Sequence, residues 1–147
     1  MTSHDATSLV GKPRAAGESA PASRRPREKT IGAGLDRIVS EYLAAWNADN
    51  EVLRRRHLHA TWNEDGTFED PLTRLEGPEA MGTYIAACRT ARPGIRWSVT
   101  GEIAHHHGRI LFSWEAHDGL RREIVRGSSF GELDGQGRIR RIVGFFA

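Results

Sequence analysis

The chain has one cysteine, Cys88, in 147 residues. An intrachain disulfide is therefore excluded, and a reducing, cytoplasmic setting is expected. No apolar run approaches the ~20 residues that a membrane-spanning helix needs. The first residues contain no apolar core segment, so no secretory signal is expected. Lysine is nearly missing, with only Lys12 and Lys29. Arginine carries the rest of the positive charge, a bias that fits a GC-rich bacterial genome. There is no glycine-rich phosphate loop and no nucleophile elbow. Metal-ligand patterns are also missing. His57 and His59, two apart on a helical stretch, diverge. His105 and His107 would share a strand face, with no carboxylate or thiolate near them in sequence. No metal and no cofactor are expected.

What is present points to one small globular domain. The hydrophobic share is 38% and the charged share 27%, as in ordinary soluble proteins, and the length suits a single core. The charge is unevenly placed. Residues 1–30 hold six basic and three acidic groups, a net of +3, and the remainder nets −1. The body is therefore near neutral and lacks the electrostatic footprint of a nucleic-acid binder. Neither a nucleic-acid nor a membrane partner is expected. Residues 1–29 are rich in Ala, Ser, Pro, Gly and Arg and poor in large aliphatics. They are expected to be a disordered basic arm, because they cannot bury enough surface to offset the entropy of ordering. Arg24-Arg25-Pro26-Arg27 reads as a solvated linker or as a docking tail.

The domain is expected to run from Thr30 to Ala147. Ile31, Leu35, Ile38, Val39, Tyr42 and Trp46 recur at three- and four-residue spacing, one apolar stripe on a helix. Asp49-Asn50 ends it and can cap a second helix over about 51–60. In that helix Val52, Leu53, Leu58 and Trp62 read as the buried side, and Arg54, Arg55 and Arg56 as the wet face. Glu64-Asp65-Gly66 reads as a turn, 67–70 as a short strand, and Pro71 as its stop. Gly77-Pro78 opens a third helix with Met81, Tyr84, Ile85 and Cys88 inward, and Pro93-Gly94 closes it. Strands follow over 95–103, 109–117, 120–133 and 138–146. Asp118-Gly119 reads as a tight hairpin. Gly127 and Gly131 read as bends or bulges in the long strand.

Helices first and consecutive antiparallel strands after them define an α+β fold. Trp46, Trp62, Phe112, Trp114 and Phe146 are more large aromatics than a thin two-layer core needs. Apolar ligand pockets are lined this way.

The order of elements and several local motifs resemble the nuclear transport factor 2-like superfamily, and within it the SnoaL-like and ketosteroid-isomerase-like proteins. The motifs are Tyr42-Leu43-Ala44-Ala45-Trp46, the run from Trp62 through Asp65-Gly66 to Phe68-Glu69-Asp70-Pro71, Gly77, Gly137-Arg138-Ile139 and Gly144-Phe145-Phe146. The resemblance implies a cone-shaped roll, three helices packed in a curved, mostly antiparallel sheet around a pocket, commonly in a homodimer. It implies a small hydrophobic organic ligand. Asp70 matches the general base of ketosteroid isomerase, and Tyr42 matches its oxyanion donor. Each has a plainer reading: Asp70 can organise the turn at Pro71, and Tyr42 can be a core tyrosine. Ser129 falls where that enzyme has a second, protonated acid, which argues against steroid-type isomerisation. Trp46, Trp62, Phe112, Trp114, Ser129 and Phe146 are expected to bind substrate. Arg126 and Asp70 could be two parts of an epoxide-hydrolase set whose third member is missing. His105, His107 and His117 all fall near turns. The function expected is a cofactor-independent isomerase, cyclase or hydratase acting on a hydrophobic carbonyl-type substrate. The alternative is a non-catalytic ligand-binding or protein-interaction domain of the same fold.

Overall fold

The structure is a computed structural model that describes residues 26–147, with side chains from residue 34 onward. The elements run α1 (Pro26–Asn47), α2 (Glu51–Thr61), β1 (Trp62–Asp70), β2 (Thr73–Glu76), α3 (Pro78–Ala91), β3 (Arg96–His106), β4 (Arg109–His117), β5 (Glu123–Leu133) and β6 (Ile139–Phe146). These six strands form one open, curved sheet in the order β2-β1-β6-β5-β4-β3. β1 and β6 pair in parallel, and the other neighbouring strands pair antiparallel. Three helices pack against the hollow of this sheet, giving the α+β class that the order of elements implied and the cone that the resemblance implied.

The core lies where α1 and α3 meet the sheet. Val39, Tyr42, Leu58, Trp62, Met81, Ile85, Ile110, Phe112, Ile139 and Ile142 are all buried there. From Leu35 onward the α1 stripe, and the inward face of α3, are thus placed as the spacing predicts, while the Ile31 side chain lies outside the described residues. Asn50 caps α2, its side-chain oxygen accepting from the Leu53 N–H at 2.9 Å. Pro78 occupies the first turn of α3, where a missing N–H costs nothing.

Several expectations need correction. α1 starts at Pro26, inside the stretch read as arm; a proline with its fixed φ suits a first helical turn. The rest of the arm, residues 1–25, lies outside the described residues. In α2, Leu58 and Trp62 are buried and Arg55 and Arg56 exposed as expected, but Val52 is 73% exposed and Arg54 only 7%, the reverse of the reading at those two positions. Arg54 turns in because its guanidinium donates to the Ala48 carbonyl at 3.1 Å, just past the end of α1. Pro71 does not end pairing. The chain reverses at Pro71-Leu72, and β2 pairs back on β1 with Asp70 opposite Thr73. β1 itself begins at Trp62, and its register to β6 shifts between Trp62 and Thr67, so the expected turn at 64–66 is an irregularity within the strand. The hairpin expected at Asp118-Gly119 is present between β4 and β5: the Arg121 N–H donates to the Asp118 carbonyl at 3.0 Å, and the Asp118 N–H donates to the Arg122 carbonyl at 2.9 Å. The Asp118 carboxylate holds it by accepting from the backbone N–H groups of Leu120 and Arg122.

Gly127 and Gly131 are not at register shifts in β5. They are places of close approach. A Cβ on Gly127 would lie 2.7 Å from the Trp114 ring, and one on Gly131 would lie 2.8 Å from both Ile110 and Ile142.

Candidate functional site

The hollow of the cone holds a cavity of about 470 Å³, within the ~300–1,000 Å³ range of small-molecule sites. Side chains one turn apart on α1, Tyr42 and Trp46, form one wall. Tyr84 and Cys88, one turn apart on α3, form another. The sheet supplies the rest through its period of two. Phe112, Ser129 and Gly144 lie in one cross-strand row, and Trp114, Gly127 and Phe146 in a second. Because Gly127 has no side chain, Trp114 and Phe146 meet above it edge to face, with ring centroids 6.3 Å apart. Gly144 leaves the space between Asp70 and Ser129 open. A Cβ there would sit 3.6 Å from the Asp70 Cβ and 3.8 Å from the Ser129 Oγ.

Asp70 ends β1 on this wall and is its one carboxylate among the described residues. Its two oxygens have separate partners. Oδ1 accepts from the Leu72 and Thr73 N–H groups at 2.8 and 2.9 Å, which fastens the β1–β2 turn. Oδ2 accepts from the Tyr84 hydroxyl at 2.7 Å, within the range of charge-assisted O–H···O bonds. Sequence reasoning places Tyr84 inward but gives it no part in the site. Its meeting with Asp70 depends on the β1–β2 hairpin, for which Pro71 is a misleading signal.

Burial pushes the Tyr84 hydroxyl well above the ordinary tyrosine range, and its bond to the Asp70 carboxylate adds to the rise. Burial likewise pushes Tyr42 up, opposed by the Trp46 indole and reinforced by the Asp70 charge. Both phenols are therefore neutral donors at any working pH. Burial raises the Cys88 thiol too. Ser129 is only 5% exposed and accepts from the Trp114 indole N–H at 3.0 Å. An indole can only donate, so the serine keeps its own proton free for the cavity.

Of the residues expected on the wall, Tyr42, Trp46, Asp70, Phe112, Trp114, Ser129 and Phe146 are there. Trp62 is not. It is fully buried behind Tyr42, stacked on it at 5.6 Å, and its indole donates to the Gly66 carbonyl at 3.1 Å. Phe68 and Trp97 line the wall without having been expected there; nothing in a strand's alternation separates core from cavity. Among the described residues, no histidine lines it. His57 pairs with Glu41 and His59 with Glu79, pointing apart as their spacing requires, and His117 lies against Glu115. Arg126 pairs with Glu123 and is also off the wall. Among the described residues, no three His, Cys, Asp or Glu side chains converge as a metal site would need. No helix among them is long and apolar enough to cross a membrane.

An open, curved sheet wrapped around a long helix, with an apolar cavity between them, defines a nuclear transport factor 2-like domain. The sequence profile of the SnoaL-like domain matches residues 39–142, and the chain belongs to the SnoaL-like family. Among solved structures, a SnoaL-like protein from Agrobacterium tumefaciens, provisionally named an isomerase, is 30% identical. It superposes with a TM-score of 0.75 over 78% of this chain and 98% of its own. A provisionally named polyketide cyclase from Sinorhizobium meliloti is 18% identical, with a TM-score of 0.59 over 76% of this chain and 97% of its own. A designed protein with a curved β-sheet reaches a TM-score of 0.61 at 13% identity, over 78% of this chain and 86% of its own. The last two likenesses concern the fold alone. No curated protein matches the chain.

Proposed function

We propose that this protein is a cofactor-independent acid/base enzyme acting on a small hydrophobic carbonyl compound, with Asp70 as the group that moves the proton. The observation that carries this reading is a single carboxylate, fixed by Tyr84, on the wall of a mostly apolar cavity. Oδ2 takes a proton from a carbon next to the carbonyl. The C–H electron pair becomes a C=C bond, and the carbonyl π pair moves onto oxygen to give an enolate. The neutral hydroxyls of Tyr42 and Ser129 stabilise that oxygen as its charge develops. The protonated Asp70 then returns its proton to another carbon of the conjugated system, an isomerisation. Alternatively the enolate carbon attacks a second carbonyl of the same molecule, whose π pair moves onto its oxygen and takes the proton back from Asp70, a cyclisation. Neither route consumes a co-reactant. Trp46, Phe112, Trp114 and Phe146 bind the apolar body.

The test follows deuterium uptake by aryl ketones and β-keto esters in D₂O by NMR. The protein should speed exchange over buffer. Asp70→Asn should lose about 100-fold or more of that rate while keeping ligand-induced thermal stabilisation. Its amide oxygen can still accept from the turn, so the hairpin is spared. An Asp70→Asn variant that exchanges as fast as the wild type would sink the proposal.

A second reading, a ligand-binding or protein-interaction domain without turnover, is favoured by the turn-holding role of Asp70 Oδ1 and by the serine at position 129. Exchange absent in the wild type, with thermal stabilisation present, selects it. A homodimer in the cytoplasm completes the proposal. Leu111, Phe130 and Val143 form a cross-strand row on the outer face of the sheet, and Leu111 is 51% exposed.

A further inference from the structure

Three arginines follow one another around the end of α3, and two of them are committed. Arg89 donates to the Trp46 carbonyl at 2.9 Å and to Asp49 at 3.0 Å. Arg96 donates to the Asn47 carbonyl at 2.9 Å and also to Asp49 at 3.0 Å. One carboxylate thus serves two guanidiniums, and the region keeps an excess of positive charge. Arg92 lies between them in sequence, at the C-cap of α3. It lines the cavity, is exposed, and has neither an ion pair nor a side-chain hydrogen bond among the described residues.

The position of Arg92 relative to Asp70 is set by the helix. Tyr84, Cys88 and Arg92 stand at successive four-residue steps, and all three line the cavity. Tyr84 holds Asp70. Eight residues of α-helix rise about 12 Å. Among the described residues, the cavity therefore has two formal charges, well separated along one wall. The negative one is the half-buried Asp70 at the end of β1, and the positive one is at the exposed end of α3.

We propose that the cavity takes an amphipathic acid, a carbonyl-bearing apolar body whose carboxylate rests on Arg92 at the mouth. This deepens the reading above and rests on its pocket. The charges also fix the direction of entry. An anionic end is repelled by Asp70 and drawn to Arg92, so the apolar carbonyl end goes inward, where Asp70, Tyr42 and Ser129 stand. Arg92 acts as a specificity-determining residue and takes no part in the proton transfer. Its guanidinium can hold a carboxylate by two parallel N–H···O bonds.

The test uses the full chain and calorimetry, with ω-benzoylalkanoic acids of increasing chain length and the matching primary amides. An acid should bind about 10-fold tighter than its amide, with an optimum chain length and an advantage that shrinks as salt rises. Arg92→Gln should abolish the preference for acid over amide without weakening amide binding. Arg92→Lys should keep part of it. Equal affinity of acid and amide in the wild type, or a preference unchanged in Arg92→Gln, overturns the Arg92 anchor and leaves the pocket reading in place. Binding of neither form overturns both. An acid preference lost in Arg92→Gln, together with no deuterium exchange, upholds the anchor while the enzymatic reading fails.

Discussion

Asp70 shows how one side chain serves fold and site together. Oδ1 closes the β1–β2 turn, and Oδ2 accepts from the Tyr84 hydroxyl on the cavity wall. Its candidacy and that of Tyr42 were legible in the sequence through the Glu69-Asp70-Pro71 and Tyr42–Trp46 motifs. The role of Tyr84 was not, because its partner lies 14 residues away across a hairpin that the proline conceals. The two phenols lead to a prediction. Tyr42 and Tyr84 are the chain's two tyrosines, and both are raised above the ordinary value of 10.0. The folded state therefore holds these protons more tightly than the unfolded chain does. The stability they contribute is full below pH ~10 and is lost as the pH rises past it. Absorbance titration of the folded protein should show no phenolate near pH ~10, and phenolate should appear together with unfolding. A folded protein in which either tyrosine half-ionises near its ordinary value would contradict this.

The elements differ in how far local chemistry specifies them. α2 starts where Asn50 caps it, and this prediction is local. Asn50→Ala should cost about 1 kcal/mol, read as a lower denaturant midpoint at unchanged slope. An unchanged midpoint would show that the cap contributes nothing. The other end of α1 is different. Its last carbonyls, and that of Ala48, receive guanidinium donors from Arg54, Arg89 and Arg96, which suits the negative end of a helix dipole. These three arginines come from α2, α3 and β3, so no window of sequence shows the arrangement. That is why Arg54 reads as part of a wet face and is buried. The hairpin over 118–122 is local in the same way as the cap: Asp118-Gly119 supplies the turn, and the Asp118 carboxylate accepts from the N–H groups of Leu120 and Arg122.

At the scale of the whole molecule, the cone has an inner face that forms the cavity and an outer face that carries the row Leu111–Phe130–Val143, flanked by Phe145, 59% exposed. Apolar rows on an exposed sheet face are places where a partner is expected. The proposed homodimer should give twice the chain mass of 16.3 kDa in light scattering, and Leu111→Glu should shift it to monomer. A wild-type monomer at every concentration would remove the dimer from the proposal. By itself the sequence determined the α+β class, the α1 and α3 stripes, the α2 cap and most strands, because period, caps and turn residues act over a few positions. Only the tertiary structure decided that Trp62 is core while Trp97 is cavity wall, that Gly127 and Gly131 are places of close approach, and that Tyr84 meets Asp70. Each of these depends on the curvature of the sheet against the helices, which sets how far apart opposing side chains stand. Residues of the same type on the same inward face meet neighbours in one place and open space in another.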